Sequence, residues 1–190
     1  YIFNYYLPRM NELSFYYSKN FVNNFFISIS IISFYLMPFL IFSKNNTYLF
    51  FLFFKKKLFH NLIIIIIFLC LSYFFNYNLN PNGGGIIYKF FNSFVDLKIF
   101  FLFCSFSIIM LIFFFKENII NNLTLFLIIF LSFYFYTIFQ KYFDPLLIIL
   151  FTTLFKSKLI NNEIKNMKKK IFFYFFYFTI FYCISLIYNY

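Results

Sequence analysis

The sequence predicts an all-α bundle of transmembrane helices, and three observations support this fold class. Of the 190 residues, 64% are hydrophobic and 31% are aromatic, whereas only 11% are charged. Soluble domains are roughly 45–50% apolar and about 25% charged, so one soluble core of this size could not cover so many Phe side chains. Long segments without Asp, Glu, Lys or Arg recur along the chain, and lysines cluster between them. We expect residues 1–190 to form one integral membrane region.

The composition also records an A/T-rich nucleotide bias. The chain has no Ala and no Trp, whereas six residue types with A/T-rich codons (Phe, Tyr, Met, Ile, Asn and Lys) make up most of it. Much of the Phe content therefore replaces other apolar residues and carries no functional meaning. The chain begins at Tyr1 without the tripartite pattern of a signal peptide, and we expect it to be the C-terminal part of a longer protein.

The crossing segments follow from their length and their lack of charge. A helix needs about 20 apolar residues to cross a bilayer, within a range of about 17–25. In the first segment Pro38 predicts a kink, and the second contains five consecutive Ile residues. We expect about six spanning or partly spanning helices, at residues 24–43, 58–75, 99–115, 123–139, 145–155 and 171–188.

Two apolar segments are short and need a separate explanation. Residues 145–155 number only eleven, and we expect Lys156 and Lys158 to extend this fifth crossing by reaching the interface with their charged ends. Residues 47–54 are too short to cross, which indicates a helix that lies along the membrane interface.

The basic residues in the connections predict the orientation, because cytoplasmic loops carry the excess of Lys and Arg. With loops 44–57 and 156–170 placed inside, six alternating crossings put eleven basic residues in the cytoplasm and five outside. The loop 76–98 is then non-cytoplasmic. The net charge of +11 therefore belongs mostly to cytoplasmic flanks, which attract membrane lipids. This distribution favours lipid over nucleic acid as the partner.

The predicted crossings contain few groups that could carry chemistry. None of them contains Asp, Glu, Lys or Arg, although such residues usually mark the ion path of a coupled carrier. Cys70, Cys104 and Cys183 lack metal-ligand spacing and are typical of small buried apolar residues. His60 follows three lysines and is typical of an interface anchor. The sequence predicts neither a metal site nor a cofactor, and it leaves the oligomeric state open.

Three of the five carboxylates fall on the predicted non-cytoplasmic side: Glu12, Asp96 and Asp144. A carboxylate there could act as a general base on a hydroxyl group, so all three are catalytic candidates. Each is also typical of a solvated loop residue. Asp144 precedes Pro145, which is tolerated at the start of a helix, and this position predicts an N-cap.

A run of glycines lies in the predicted outer loop 76–98. Glycine permits positive φ angles and close approach of a ligand, and successive N–H groups in such a turn can bind an anion. With Tyr88 and Lys89 directly after them, the glycines form a candidate phosphate-binding site. The alternative is a turn that leads the chain back into the membrane. The glycines are Gly83, Gly84 and Gly85, the only three in the chain.

A second outer feature lies at residues 140–145, before the fifth segment. It begins with Gln140, the only Gln of the chain, and continues through Lys141 and two aromatic residues to Asp144 and Pro145. Lys141 is a candidate contact for the same phosphate. Asp144 is a candidate to orient or deprotonate a hydroxyl group.

The order of these features resembles the C-terminal part of the multi-spanning glycosyltransferases of GT-C type, in particular the dolichyl-phosphate-glucose-dependent alpha-1,2-glucosyltransferase family. The likeness covers residues 76–155 and rests on residues 86–91 and 139–145, an aromatic and basic stretch followed two spans later by a motif ending in Pro. It implies a polyprenyl-phosphate sugar donor and transfer to an acceptor hydroxyl on the non-cytoplasmic face. The glycine run is not part of the family pattern, and Lys141 stands where the family tends to have Arg. The acidic residue of the family's first outer loop would precede Tyr1.

Three other interpretations remain open. A lipid-linked substrate flippase or another transporter is also all-helical and aromatic, but it predicts polar residues along one path through the spans. A membrane subunit of a respiratory or assembly complex, encoded in an A/T-rich organelle genome, would explain the composition without any site. A mistranslated A/T-rich reading frame is the third, and the regular spacing of the segments argues against it.

Overall fold

A computed structural model describes residues 10–77, 84–132 and 140–189, and these residues form helices and short connections without strands. The all-α prediction is confirmed for these residues. Two short 3-10 turns occur as well, at Lys116–Asn118 and at Met167–Lys169. The helices in chain order are α1 (Met10–Ile41), α2 (Lys44–Lys56), α3 (Leu58–Ser72), α4 (Gly85–Phe94), α5 (Leu97–Phe115), α6 (Ile119–Ser132), α7 (Gln140–Thr153), α8 (Lys158–Asn166) and α9 (Ile171–Asn189).

Two helical stretches among the described residues are long and apolar enough to cross a membrane. They are Phe21–Ile41 in α1 and Leu97–Ile129, which covers α5 and part of α6. The described residues therefore contain two such stretches, not the six spanning or partly spanning helices that the sequence predicts. Two further apolar helices, Leu58–Ser72 and Ile171–Cys183, are shorter. A helix of 15 residues, the length of α3, rises about 22 Å, against roughly 30 Å of bilayer hydrocarbon.

Helix α3 is shorter than the apolar segment 58–75 because the backbone turns before the apolar residues end. After α3, the amide of Tyr73 bonds to the carbonyl of Cys70, three residues back, and the next two amides do the same. The last residues of segment 58–75 are thus a turn. Segment 123–139 continues into residues 133–139, which lie outside the described residues.

The stretch Leu97–Ile129 also turns, so α6 does not continue α5. Asn122 Nδ2 lies 3.3 Å from the carbonyl oxygen of Phe115, seven residues earlier. A straight helix would separate these residues by about 10 Å along its axis, so this bond requires a bend at Lys116–Asn118. The stretch Leu97–Ile129 therefore consists of two helices that meet at this corner, not of one straight helix.

Helix α1 forms the centre of the bundle. Residues 26–36 are all buried, and α2, α4, α5, α6 and α7 contact this helix. Three of its buried residues, Ser28, Ser30 and Ser33, are small enough to allow close approach of neighbouring helices. Where α1 passes α5, Cys104 Sγ lies 3.6 Å from the carbonyl oxygen of Phe26.

Pro38 lies inside α1 and frees one backbone carbonyl. Proline has no N–H, so the carbonyl of Phe34, four residues earlier, loses its partner within the helix. The hydroxyl of Tyr177 in α9 donates to this oxygen at 3.1 Å. The rings of Tyr177 and Phe181 also pack on the ring of Phe34. The proline of α1 and the tyrosine of α9 therefore form one hydrogen-bonded contact between helices.

At each of three helix corners, a buried Asn bonds to the end of the preceding helix. The last turn of a helix leaves carbonyl groups without helical partners. In each corner an Asn lies near the start of the next helix, and its side-chain amide donates to the backbone carbonyl seven residues earlier. These bonds join Asn46 to Phe39, Asn61 to Phe54 and Asn122 to Phe115, at 3.0, 3.1 and 3.3 Å.

Lysine-rich connections meet at one end of the bundle, which we call the lysine end. Lys57 at the α2–α3 corner and Lys116 at the α5–α6 corner both lie over the ring of Phe53, so the two corners adjoin. Asn122 accepts from the amide of Lys156 at 3.1 Å and donates to its carbonyl at 3.2 Å. The α7–α8 connection therefore lies at the same end.

Several helices expose wide apolar faces. On α3 the exposed residues follow one another around a single face, whereas Asn61 and Phe68 on the other face are buried. Exposed apolar patches this large are unusual on soluble monomers and mark membrane or protein contacts. The exposed residues of α3 include Leu58, Phe59, Leu62, Ile63, Ile66 and Ile67, and those of α9 include Ile171, Phe172, Phe173, Phe175 and Phe176.

Candidate functional site

The glycines begin α4 in direct contact with the middle of α1. Gly84 and Gly85 have φ angles of 94° and 72°, a region that favours glycine. A Cβ atom at Gly85 would lie 2.8 Å from Ile31 Cγ1, and one at Gly84 would lie 2.9 Å from Tyr88 Cδ1. Ile31 is the central residue of the stretch Phe21–Ile41. The glycine turn is thus buried beside α1, as expected for a turn that leads back into the bundle. Gly83 lies outside the described residues.

Gln140 joins α7 to this turn. Its Oε1 accepts from the backbone N–H of Ile86 at 2.8 Å, and its Nε2 donates to the hydroxyl of Tyr35 in α1 at 3.4 Å. The N–H of Ile86 is one of the amides at the start of α4 that lack a helical partner. One side chain therefore connects α1, α4 and α7, and it brings the glycine turn next to the stretch 140–145.

Tyr88 is almost fully buried in this contact region. Its hydroxyl donates to the carbonyl of Tyr77 at 3.1 Å, and its ring packs edge-on against Phe75, Tyr77 and Phe100. These contacts fix the end of the segment that follows α3 against α4 and α5. The suggested contact of Tyr88 with a phosphate stays a prediction.

Lys89 follows Tyr88 on α4 and is half-buried. Burial lowers the pKa of its ammonium group below the ordinary lysine value, because a low-dielectric environment disfavours the charged form. An anion close to this group would oppose the shift, since it favours the protonated lysine. A nearby anion would therefore stabilise the charged form of Lys89, and the suggested contact of Lys89 with a phosphate stays a prediction.

The predicted carboxylates occupy three different helices. Asp96 is the N-cap of α5, and its Oδ1 accepts from the amide of Lys98 at 2.9 Å. Glu12 is the third residue of α1. Asp144 is the fifth residue of α7, so it lies inside the helix rather than at the predicted N-cap, and Lys141 is the second residue of the same helix. The catalytic roles of these acids and the phosphate role of Lys141 stay predictions.

A polar cluster that the sequence does not predict lies at the lysine end. Glu163 of α8 is buried, accepts from the hydroxyl of Ser43 at 2.7 Å and forms an ion pair with Lys170 at 2.6 Å. Ser43 is also the N-cap of α2. This cluster ties the α1–α2 corner to α8 and to the start of α9. Glu163 stands in a lysine-rich stretch that is typical of a solvated loop. The one sequence feature related to this cluster is Ser43, a residue type that favours the N-cap position of a helix.

Asn24 of α1 is a second residue that the sequence did not single out. Its side chain is buried, and neither polar atom has a hydrogen-bond partner in the described part of the chain. Its neighbour Asn23 exchanges two hydrogen bonds with the backbone of Asn76, at 2.9 and 3.0 Å. Asn23 therefore positions the segment after α3, whereas Asn24 has no structural role that the described contacts explain.

Metal-ligating residues do not cluster in the part of the chain that the structure covers. No group of three or more His, Cys, Asp or Glu side chains there could hold a metal ion. Cys104 is buried, whereas Cys70 and Cys183 are exposed, and all three are free thiols.

The comparisons with known proteins give no relative. No protein-family model, no curated protein and no solved structure matches this chain.

Proposed function

We propose that the chain is part of an integral membrane glycosyltransferase that moves a sugar from a polyprenyl-phosphate donor to an acceptor hydroxyl. One observation carries the proposal. The two stretches that carry the glycosyltransferase resemblance lie far apart in the sequence, and the bond between Ile86 N and Gln140 Oε1 holds them together at 2.8 Å. The candidate cations Lys89 and Lys141 lie three residues after Ile86 and one residue after Gln140, respectively.

In this proposal Lys89 and Lys141 contact the donor phosphate. A polyprenyl tail partitions into the bilayer, which keeps the attached phosphate near the membrane surface. Burial lowers the pKa of Lys89, and the donor phosphate would oppose this shift because an anion stabilises the ammonium form.

The transfer itself needs a nucleophile and a base. The acceptor oxygen forms a bond to the anomeric carbon of the sugar while the bond from that carbon to the phosphate oxygen breaks, which inverts the carbon. Asp144 takes the proton of the acceptor hydroxyl, and the polyprenyl phosphate leaves with the bonding electron pair. Asp96 and Glu12 are the alternative bases, and Asp96 already accepts a backbone hydrogen bond as a cap.

We propose that the lysine end faces the cytoplasm, in keeping with the excess of basic residues in cytoplasmic loops. The start of α5, where Cys104 contacts Phe26, then lies toward the non-cytoplasmic side, and the Gly84–Gln140 region lies between it and the lysine end, beside Ile31. A membrane-impermeant thiol reagent tests this orientation on single-cysteine variants. Asn92→Cys in α4 should react from outside and Asn161→Cys in α8 from the cytoplasm, and labelling of both from one side would contradict the orientation.

The activity is tested in membranes that contain the full-length protein, with a radiolabelled polyprenyl-phosphate sugar as donor. Lys89→Ala, Lys141→Ala and Asp144→Asn should each reduce transfer at least about tenfold, the range in which a general base or a charge-stabilising group acts. Lys98→Ala is the matched control for the lysines, because Lys98 is exposed at the start of α5. Glu117→Gln, at the lysine end, is the control for the acid. Unchanged transfer in the Lys89 and Asp144 variants would refute the site.

A further inference from the structure

Two lysines from different helices converge on one aromatic ring at the lysine end. Lys57 Nζ lies 5.6 Å from the centre of the Phe53 ring, and Lys116 Nζ lies 5.9 Å from the same centre. The two nitrogens are therefore at most about 11.5 Å apart, the sum of these distances. Lys116 Nζ also lies 5.4 Å from the ring of Phe113 in α5. Flexible side chains at this separation can contact one phosphate group together.

No carboxylate in the described part of the chain forms an ion pair with either lysine of this pair. Among the described residues the structure shows one ion pair, Lys170 with Glu163, and that glutamate is buried against Ser43. Glu117 follows Lys116 directly but makes no ion pair with it in that part of the chain. Two like charges thus meet over one ring, where aromatic quadrupoles attract cations but supply no counter-charge.

Exposed apolar side chains follow Lys57 at the start of α3. Phe59, two residues after Lys57, is 72% exposed, and Leu58 between them is also exposed. A soluble anion would gain nothing from these side chains. A lipid would place its phosphate between the ammonium groups and its glycerol and acyl chains against this apolar surface.

We propose that Lys57 and Lys116 together bind the phosphate of an anionic membrane lipid, with the ring of Phe53 beneath the headgroup. This site is separate from the Gly84–Gln140 region and does not depend on the proposed transferase activity. It makes the α2–α3 and α5–α6 corners a specific lipid-binding position rather than a general basic surface.

The test compares two double variants of the full chain, purified in a neutral detergent, for binding of dioleoyl phosphatidylglycerol by native mass spectrometry. Lys57→Gln/Lys116→Gln removes the pair. Lys55→Gln/Lys56→Gln removes two charges from the same turn of chain and is the matched control, because Lys55 lies over a different ring, that of Phe51, at 4.7 Å. We expect the first variant to bind at least about tenfold more weakly and the control to change less than about twofold.

Three results would overturn the proposal. Equal weakening in both double variants would show a general charge effect. Equal binding of dioleoyl phosphatidylcholine to the unmodified chain would show that the anionic headgroup is not recognised. Displacement of the lipid by millimolar inorganic phosphate would assign the site to a soluble anion.

Two further variants separate charge from folding. Lys57→Arg/Lys116→Arg keeps both cations and should retain the lipid, and loss of binding with an unchanged helical circular dichroism spectrum would contradict the proposal. Lys116→Gln alone leaves Lys57 at the α2–α3 corner and should give an intermediate loss of lipid binding. Full retention in that single variant would exclude joint binding by the two lysines.

Discussion

The hydrogen bond between Tyr177 and the backbone of α1 gives a sharp test of how this bundle is held together. Tyr177→Phe removes only the hydroxyl that donates to the Phe34 carbonyl at 3.1 Å and keeps the ring that packs on Phe34. That carbonyl has no partner within α1, because Pro38 supplies no N–H. Leaving a buried acceptor unpaired costs about 1–3 kcal/mol in soluble proteins, and hydrogen bonds between membrane helices reach about 1.7 kcal/mol. We expect a loss of about 1–2 kcal/mol in the free energy of unfolding.

The proline provides the second half of the test. Pro38→Ala restores an N–H that can bond to Phe34 within the helix, so the tyrosine hydroxyl is no longer needed. In the Pro38→Ala background we expect Tyr177→Phe to cost less than about 0.5 kcal/mol, which gives a coupling energy of about 1 kcal/mol between the two positions. Tyr174→Phe is the control, since the Tyr174 hydroxyl is buried but has no hydrogen-bond partner in the described part of the chain. This control should be neutral or stabilising.

The free energies are measured by reversible unfolding of the purified chain in mixed micelles, followed by the helical circular dichroism signal. The four chains of the cycle are compared under one detergent composition. An equal cost of Tyr177→Phe with and without Pro38 would refute the reasoning, because it would show that the hydroxyl does not substitute for the missing amide. A cost of Tyr174→Phe as large as that of Tyr177→Phe would also contradict it, since loss of any hydroxyl would then be sufficient.

Three further predictions concern the contacts of α4 and α8. Gly85→Ala should destabilise the chain by about 1–3 kcal/mol, because its φ of 72° disfavours a side chain and its Cβ would lie 2.8 Å from Ile31 Cγ1; an unchanged thermal midpoint would contradict the close contact. Gln140→Leu removes the acceptor of an amide of α4 and should cost about 1–3 kcal/mol. Faster hydrogen exchange confined to the start of α4 would support that prediction, and unchanged exchange there would count against it. Glu163→Leu leaves Lys170 without its carboxylate and should cost about 1–3 kcal/mol, whereas Glu163→Leu combined with Lys170→Leu should recover part of the loss; no recovery would argue against the ion pair.

The sequence predicts the helical class and the central span well, because both depend on composition and on long apolar runs. It overestimates the number of crossings, since apolar residues continue through turns. Tyr73 and the two residues after it look like a helix by hydropathy, yet their amides bond three residues back and end α3. The sequence shows Pro38 inside a predicted helix. It does not show that Tyr177 donates to the carbonyl freed by this proline, because the two residues lie far apart in the sequence.

The candidate site was predicted in part. Gly84, Gly85 and Gln140 were singled out because they are rare in this composition, but their contact could not be predicted from rarity alone. Asp144 was expected to cap a helix that begins at Pro145, and it lies inside α7 because helical backbone extends back to Gln140. Glu163 was missed because a carboxylate among lysines is typical of a solvated surface. Its burial depends on Ser43, which lies on another helix.

Several polar side chains in the described part of the chain are already engaged in structural bonds, which narrows the choice of catalytic groups. In a chain whose apolar residues are set largely by codon bias, side chains that bond to the backbone are less replaceable, because a buried unpaired amide or carbonyl is costly. Gln140 is bonded to an amide of α4 and Asp96 to an amide of α5. Glu163 is engaged by Ser43 and Lys170. Of the acids predicted on the non-cytoplasmic side, Asp96 is thus already bonded to a backbone amide. We therefore propose Asp144, which lies on the same helix as Gln140, as the base in preference to Asp96, and we expect Asp96→Asn to preserve transfer activity in the assay in which Asp144→Asn reduces it at least about tenfold.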